Sequence, residues 1–118
     1  MVSYKIILTG RAREDLIDIG DYISYTLCEP EIALNFIKNI RRAIETLSEI
    51  PERQPYIDDE VLANQGIRFL PYKNYFIFYE VEISVHKVFI LRIGYNRRSW
   101  KDILRWYALS LVQTPNYI

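Results

Sequence analysis

The sequence predicts an α+β fold with the element order β-α-α-β-β-β-α: an N-terminal strand, an α-helical hairpin packed on a twisted antiparallel β-sheet, and a short C-terminal helix. Two observations predict it. Apolar residues recur at steps of three and four between residues 12 and 47, as in amphipathic helices, whereas β-branched and aromatic residues dominate 67–94, as in strands. Since 50% of the 118 residues are hydrophobic and 25% charged, we expect one domain with one modest core over 1–118.

The first half of the chain predicts one strand and two helices. An alternation of apolar and polar residues from Val2 to Leu8 is typical of a strand, and Thr9 can cap the helix that follows. Pro30 suits the first position of the second helix, and Pro51 ends that helix. The apolar stripes of the two helices are Ala12, Leu16, Ile19, Ile23 and Leu27, then Ala33, Phe36, Ile37, Ile40, Ile44 and Leu47. The solvated outer face of the first helix is expected to carry Asp15, Asp18 and Asp21.

The second half predicts a loop, three strands and a final helix. Two prolines and clustered acidic and amide residues interrupt any periodicity over 51–65, which indicates a loop. Strands are expected at about 67–71, 74–82 and 85–94. Periodicity does not fix the strand order, so the first strand can pair parallel with one of these. Strict alternation in the last strand places Val85, Lys87, Phe89, Leu91 and Ile93 on one face and His86, Val88, Ile90 and Arg92 on the other. A short helix is expected over 100–106, followed by an extra tail at 107–118.

Composition excludes several classes of protein and site. No apolar run approaches the roughly 20 residues that a membrane span needs, and residues 1–5 lack the layout of a signal peptide. With Cys28 and His86 as the only residues of their kinds, an internal disulfide is impossible and no metal cluster is expected. We expect a packed thiol at Cys28, a surface imidazole at His86, no cofactor and a cytoplasmic location. The HExxH, GxSxG and P-loop motifs do not occur.

Charge is distributed unevenly along the chain, although the net charge is zero. Residues 1–60 hold 7 Lys and Arg against 12 Asp and Glu, a balance of −5, and residues 61–118 hold 8 against 3, a balance of +5. Such asymmetry indicates binding to nucleic acid or to an acidic partner. The alternative is a dipolar solvated surface, because the two halves interleave in the folded protein.

A basic and aromatic segment follows the last predicted strand and contains Arg92, Tyr95, Arg97, Arg98 and Trp100. Earlier strands add Arg68, Tyr72, Lys73 and Tyr75. Guanidinium groups bind phosphates bidentately and aromatic rings stack on bases, so these side chains fit single-stranded RNA. The alternative interpretation is a set of ion pairs and half-buried aromatic residues at the edge of a sheet.

Such a set can also be read as a catalytic site. Cleavage of RNA by its own 2′-hydroxyl needs a base, a cation that stabilises the phosphorane, and an acid, but no metal ion. Arginines supply the cation, and they lower the pKa of a neighbouring lysine or tyrosine, which makes Lys73 and Tyr95 candidates for proton transfer. The expected catalytic residues are Arg68, Lys73, Arg92, Tyr95 and Arg97, and the expected RNA-binding residues are Tyr72, Tyr75, Arg98 and Trp100.

Several segments, in this order, resemble the RelE/ParE superfamily of toxins from bacterial type II toxin–antitoxin modules. They are the opening strand with RAREDLIDIGDYI, then Ile50-Pro51-Glu52-Arg53, GIRFLPYKNYFIFYEV and VFILRIGYNRRSWKDIL. The resemblance extends to about Leu104 and implies the fold described above. It also implies a cognate antitoxin whose acidic or amphipathic segment covers the basic surface of the toxin.

The resemblance implies growth inhibition by one of two activities. RelE-like members cut mRNA on the ribosome, and ParE-like members bind and inhibit DNA gyrase. We first expect a ribosome-dependent, metal-independent endoribonuclease, because Arg68, Arg97 and Arg98 can take the phosphate-binding roles. The alternatives are a ParE-like gyrase inhibitor and a non-toxic member that only binds its antitoxin. The resemblance to the ribonucleases is incomplete, because Phe76 stands where they usually carry an arginine. The loss of that arginine favours the alternatives, which do not need it.

Overall fold

The computed structural model describes residues 3–95 as a four-stranded sheet with two long helices on one face and a short helix on the other. The strands are β1 (Lys5–Leu8), β2 (Arg68–Tyr72), β3 (Tyr75–Glu82) and β4 (Lys87–Tyr95). The helices are α1 (Gly10–Asp21), α2 (Pro30–Glu45) and α3 (Glu60–Asn64). The predicted α+β class is confirmed. The helix expected over 100–106 and the tail at 107–118 lie outside the described residues.

Strand β4 lies in the interior of the sheet, whose order is β1-β4-β3-β2. Strands β2, β3 and β4 form an antiparallel meander, whereas β1 runs parallel to β4 with Lys5 opposite Lys87 and Leu8 opposite Ile90. Parallel neighbours need a long crossover, and the helical hairpin that follows β1 is part of the chain that supplies it. The suggested parallel pairing of the first strand is therefore confirmed.

Helix α1 begins where β1 ends, and Thr9 joins the two elements. The Thr9 hydroxyl oxygen accepts the backbone N–H of Ala12 at 3.2 Å, as an N-cap does, and the same hydroxyl donates to the carbonyl of Ile90 at 2.8 Å. The backbone N–H of Thr9 also donates to the Ile90 carbonyl. The predicted cap is confirmed, and it fixes the start of α1 against β4.

The end of α1 differs from the regular helix that the sequence predicts. The chain continues as one π-helical turn over Tyr22–Thr26 and then reverses at Cys28, which has a left-handed φ of 55°. Since a π turn shifts the later side chains around the axis, Leu27 leaves the apolar stripe and is 50% exposed. The expectation of a packed thiol was wrong, because Cys28 is exposed.

Helix α2 packs on the sheet through the stripe that its sequence predicts. Phe36, Ile40 and Ile44 are buried against Ile77 of β3 and Val88 of β4, and together they belong to the larger of two core clusters. Burial of aliphatic and aromatic side chains is the main favourable term in folding, at about 25 cal/mol per Å² of apolar area. This cluster therefore holds the hairpin on one face of the sheet.

A second, smaller core cluster lies on the opposite face of the sheet. Phe78 and Leu91 are covered there by Ile57, Leu62 and Ile67. Leu62 belongs to α3, so the prediction of a structureless loop over 51–65 was wrong. The helix is only five residues long, and Asp59 caps it by accepting the backbone N–H of Leu62 at 3.1 Å.

A β-bulge changes the face of the residues at the end of β4. Phe78 pairs with Arg92 and Tyr79 pairs with Ile90, so Leu91 is an extra residue on β4. As a result Ile93 joins Ile90 in the larger core cluster, on the helical side. The prediction from strict alternation, which placed Ile93 on the same face as Leu91, was therefore wrong.

Tyr79 connects β3 to the segment that follows α2. Its side chain is fully buried, and its hydroxyl donates to the carbonyl oxygen of Pro51 at 2.6 Å. Burial raises the pKa of Tyr79 to about 12, although the nearby Arg68 guanidinium lowers it in part. The hydroxyl therefore stays protonated at neutral pH, as the hydrogen bond to Pro51 requires.

The Tyr79 hydroxyl should make stability depend on alkaline pH. In the unfolded chain this phenol ionises near its ordinary pKa of 10.0, and in the folded protein near 12. Because the unfolded state loses its proton first, the free energy of unfolding falls as the pH rises between these two values and is unaffected below them.

Urea unfolding of wild-type protein and of Tyr79→Phe across this pH interval measures the effect. At neutral pH the free energy of unfolding of the variant should be about 1–3 kcal/mol lower than that of the wild type, because the buried Pro51 carbonyl has lost its donor. This difference in the free energy of unfolding should then become smaller as the pH rises. Tyr25→Phe is the control, since Tyr25 is 76% exposed and its removal should leave the curve unchanged. Parallel wild-type and Tyr79→Phe curves would contradict the interpretation.

Candidate functional site

A groove of about 820 Å³ lies between the helical hairpin and the end of the sheet where β2 turns into β3. Its helical wall consists of Asp18, Ile19, Tyr22, Ile23, Leu27, Ile32 and Phe36, and its sheet wall consists of Lys73, Asn74, Tyr75 and Tyr95. Most of these side chains are aliphatic or aromatic. The groove is therefore a largely apolar depression with a few charged or polar groups along it, a composition typical of ligand- and peptide-binding sites.

The strand register places three tyrosines side by side at this end of the sheet. Tyr72 pairs with Tyr75 across β2 and β3, and Tyr75 pairs with Tyr95 across β3 and β4. The two-residue turn Lys73-Asn74 closes the β2–β3 hairpin, with Lys73 at a left-handed φ of 52° that a residue with a Cβ rarely adopts. The hairpin turn thus brings Lys73 next to the row of tyrosines.

The rings of this row contact one another and α2. The Phe36 ring lies 5.9 Å from that of Tyr72 and 5.0 Å from that of Tyr75, measured between centroids. Tyr75 and Tyr95 form a T-shaped pair at 5.2 Å. The ammonium of Lys73 lies 5.7 Å from the centroid of the Tyr72 ring, within the range of a cation–π contact. Edge-to-face contacts of this kind stabilise the sheet wall of the groove.

Proton transfer by Tyr75 is disfavoured by its surroundings. Burial raises the pKa of Tyr75 above its ordinary value of 10.0, and the phenols of Tyr95 and Tyr22 raise it further. A raised pKa keeps the hydroxyl protonated, so at neutral pH this group can donate a hydrogen bond but cannot act as a base.

Arg92 forms an ion pair with Asp15 of α1. Its Nε lies 2.8 Å from one carboxylate oxygen and its second guanidinium nitrogen 3.1 Å from the other, so the pair is bidentate. The backbone N–H of Ile93 donates to the same carboxylate at 2.9 Å. The two charged side chains are only 15% and 13% exposed. The expectation that Asp15 faces solvent was wrong, because it joins α1 to β4.

Arg68 is held at the other end of β2 from Lys73, roughly 16 Å away along an extended strand. Its guanidinium donates to the carbonyl oxygens of Glu52 at 3.1 Å and Gln54 at 2.6 Å. It also lies 4.0 Å from the centroid of the Tyr56 ring. These contacts hold the segment after α2 against the edge of the sheet.

The predicted site residues therefore divide into three groups. The structure brings Lys73, Tyr75 and Tyr95 together in the wall of the groove, and Tyr72 lies beside them against Phe36. Arg68 and Arg92 lie elsewhere, each bonded to protein groups. Arg97, Arg98 and Trp100 lie outside the described residues.

Sequence reasoning missed the helical wall of the groove. The predicted apolar stripes include Leu27 but neither Tyr22 nor Ile32, and all three side chains are at least half exposed. A signal for them exists in the sequence. The hairpin carries more apolar residues near Pro30 than two helices can turn toward one sheet.

A family model supplies the identification. The model of the ParE toxin of the type II toxin–antitoxin system parDE matches residues 6–100 of this chain. The chain belongs to the ParE toxin family. It is accordingly a toxin of a type II toxin–antitoxin system, and the predicted membership of the RelE/ParE superfamily is confirmed.

Two solved structures with similar folds agree with the family. One is the chromosomal ParDE toxin–antitoxin system from P. aeruginosa, with a TM-score of 0.67, 24% identity, and coverage of 80% of this chain and 98% of that one. The other is the toxin–antitoxin complex RelBE2 from Mycobacterium tuberculosis, with a TM-score of 0.58, 24% identity, and coverage of 81% and 94%. At this identity the likeness establishes the fold. No curated protein matches the chain.

The described part of this ParE-family toxin contains neither a metal-binding cluster nor a membrane-crossing helix. Over residues 3–95, no three His, Cys, Asp or Glu side chains are grouped so as to hold a metal ion. Within the same residues, no helix combines the length and the apolar character needed to cross a bilayer.

We expect the Asp15–Arg92 pair to be a major determinant of stability. Asp15→Asn should lower the free energy of unfolding by about 3–5 kcal/mol, because it leaves the guanidinium of Arg92 largely buried without its counter-charge. The matched control is Glu14→Gln on the same helix, whose ion pair with Arg11 spans 3.8 Å between exposed side chains. That change should cost about 0–1 kcal/mol. Urea unfolding of both variants tests the pair, and equal losses would contradict it.

Proposed function

We propose that this ParE-family toxin inhibits growth by binding a protein target, DNA gyrase as in ParE-like members of the superfamily, and not by cutting mRNA. One observation carries the proposal: Arg92 is committed to a bidentate, largely buried ion pair with Asp15. A guanidinium in that position stabilises the fold and is not available to a phosphorane. The match of the family model to 6–100 supports the same assignment.

Two further observations support a protein target. Arg68 donates both of its described hydrogen bonds to backbone carbonyls, roughly 16 Å along the strand from Lys73. The remaining predicted residues, Arg97, Arg98 and Trp100, have the chemistry that favours protein interfaces, where arginine and tryptophan are enriched. We assign the contact with gyrase to this segment.

Ribonuclease activity stays a prediction, and one observation favours it as the second candidate. Lys73 and Tyr95 line the same groove, so a cation and a phenol are near each other at the end of the sheet. Such a pair can take the roles of acid and base in RNA cleavage if arginines approach it. Both activities place the toxin in the cytoplasm, where gyrase and ribosomes work.

Two sets of substitutions separate the candidates. Lys73→Met combined with Tyr95→Phe removes the proton-transfer groups, and a ribonuclease should then lose about 10²–10⁴-fold in cleavage rate. A gyrase inhibitor should keep its activity in that variant and lose it in Arg97→Ala/Arg98→Ala. The measurements are supercoiling by purified gyrase and cleavage of mRNA on programmed ribosomes. Cuts at the ribosomal A site that vanish with Lys73 and Tyr95, together with normal supercoiling, would overturn the proposal.

We also propose a cognate antitoxin as the partner of this chain. Family membership supports it, and the two similar structures are a ParDE toxin–antitoxin system and a RelBE2 toxin–antitoxin complex. The balance of +5 over residues 61–118 favours an acidic segment in that partner. The first candidate is the product of a small open reading frame beside the gene for this chain.

Co-expression and kinetics test the antitoxin. The neighbouring product should restore growth and co-purify with the toxin. Its association rate constant should fall as salt concentration rises, because long-range attraction between opposite charges is screened. Arg97→Ala/Arg98→Ala should weaken that salt dependence. A neighbouring product that neither restores growth nor co-purifies would contradict this assignment, whatever the target of the toxin is.

A further inference from the structure

A second depression, the hairpin cleft, lies between the two long helices on the face of the hairpin that points away from the sheet. It has a volume of about 310 Å³, and its wall includes Tyr25 and Leu34, which are 76% and 73% exposed. Ile17, one helical turn before Gly20 of the cleft, is 58% exposed. These are the three most exposed large apolar residues among the described side chains, and clustered exposure of this kind marks an interaction surface. The cleft is lined by Gly20, Asp21, Ser24, Tyr25, Pro30, Ala33, Leu34 and Ile37.

Gly20 keeps the floor of the hairpin cleft open. A methyl group at this position would lie 3.6 Å from Cδ1 of Ile37, which is an ordinary packing distance, so the fold has room for an alanine. Glycine inside a helix lowers stability relative to alanine, and packing within the molecule does not require it here. The missing side chain leaves a hollow between the helices that a side chain from outside can fill.

The hairpin is acidic at its turn and basic at its opposite end. Residues 18–37, which surround the turn, contain four acidic side chains and no Lys or Arg. At the opposite end, residues 11–14 and 38–45 contain five basic side chains and two acidic ones, and all of these charged residues are exposed. Asp15 does not offset the basic end, because it is paired with Arg92. The acidic residues are Asp18, Asp21, Glu29 and Glu31, and the basic ones are Arg11, Arg13, Lys38, Arg41 and Arg42.

A surface with one acidic and one basic end is complementary to a second copy of itself. When two hairpins face each other in antiparallel orientation, each acidic turn lies over the basic end of the other copy. One two-fold axis generates both contacts, as in isologous dimers. Ile17 and Leu34 lie between the charged ends and are then in the middle of the interface. A parallel orientation would instead bring like charges together, which is unfavourable.

We propose that this toxin forms a homodimer through the outer face of its helical hairpin, with the two hairpins antiparallel. Helix α2 has 16 residues, so the face is about 24 Å long, and two adjacent helices make it about 20 Å wide. Two such faces bury roughly 1,000 Å² in total, which is the lower limit for a specific interface. The dimer is accordingly reversible and dissociates on dilution.

Dimerisation through this face leaves the larger groove of each copy accessible. The hairpin cleft and the groove have no lining residue in common, because they lie on different sides of the hairpin. Each dimer therefore presents two grooves. A partner with two matching segments gains apparent affinity by binding both. The inference does not depend on whether the target is gyrase or mRNA.

Analytical ultracentrifugation of the full-length toxin over a wide range of concentration tests the interface. The wild-type protein should change from monomer to dimer mass as its concentration rises. Leu34→Asp places one charge from each copy in the apolar middle and should raise the dissociation constant about 100-fold. Ile83→Asp is the matched control, since Ile83 is 55% exposed in the connection between β3 and β4. It should dimerise like the wild type.

Complementary charge reversals test the antiparallel orientation. The turn variant replaces three acidic residues: Asp21→Lys, Glu29→Lys and Glu31→Lys. The end variant replaces three basic residues: Arg13→Glu, Lys38→Glu and Arg41→Glu. Each variant alone should be monomeric, because like charges meet at both ends of its dimer. An equimolar mixture should form a heterodimer, because each turn then faces an end of opposite charge.

Two controls accompany the charge reversals. Glu60→Lys changes an exposed acidic residue of α3, on the opposite face of the sheet, and should leave the dissociation constant unchanged. Raised salt should weaken the wild-type dimer and the heterodimer alike, because charge attraction is screened. Circular dichroism and urea unfolding establish that each variant is folded. If Leu34→Asp does not fold, the charge variants still decide the question.

Three results would overturn the inference. A full-length toxin that stays monomeric at every concentration would leave the hairpin face to another occupant. If Leu34→Asp then abolished binding of the antitoxin, that occupant would be the antitoxin. A dimer that Leu34→Asp and Ile83→Asp weaken equally, or a mixture of charge variants that stays monomeric, would exclude the antiparallel hairpin interface. Toxicity enters none of these measurements, so failure here is separate from failure of the proposed target.

Discussion

The carboxylate of Asp15 joins the helical layer of this protein to its sheet. Strand β1 ends at Leu8, opposite Ile90, so among residues 3–95 no strand neighbours the remainder of β4 on that side. Asp15 takes the place of a strand there, because it accepts the backbone N–H of Ile93 and both nitrogens of the Arg92 fork. A buried N–H without a partner is costly, and so is a buried guanidinium without a counter-charge. The position of α1, and with it the helical wall of the groove, depends on this contact.

The ion pair also explains why the chemistry of the predicted site was hard to assign. A guanidinium binds a phosphate, a carboxylate and a pair of carbonyl oxygens with the same fork of donors. The sequence identifies Arg68 and Arg92 as cations near the ends of strands, which they are. It contains no local signal that Asp15, far away in the chain, or the carbonyls of Glu52 and Gln54 are their partners. The positions of Tyr72, Tyr75 and Tyr95 are simpler to account for, because strand register alone makes these residues neighbours.

Most of the fold follows from periodicity, and the exceptions have a common cause. The stripe of α2, the cap at Thr9 and the three strands of the meander each have a pattern within a few residues. The extra residue at Leu91 and the π turn over Tyr22–Thr26 do not, because each is stabilised by packing between distant segments. Both irregularities border the groove or the Arg92 contact. The departures from simple rules therefore lie close to the candidate site, where sequences are expected to break them.

The parallel pairing of β1 with β4 has a consequence for how the toxin is made. Residues 5–8 of β1 pair with residues 87–90 of β4. Strand β1 therefore leaves the ribosome long before its pairing strand β4 has been synthesised. The hairpin of β2 and β3 and the two long helices can form earlier, but the contacts that Thr9 and Asp15 make with β4 form only after β4 has been synthesised. Long-range pairing of this kind slows folding. We expect the nascent toxin to remain non-native until almost its whole domain has been translated, which gives the cell an interval in which a newly synthesised chain cannot yet do harm.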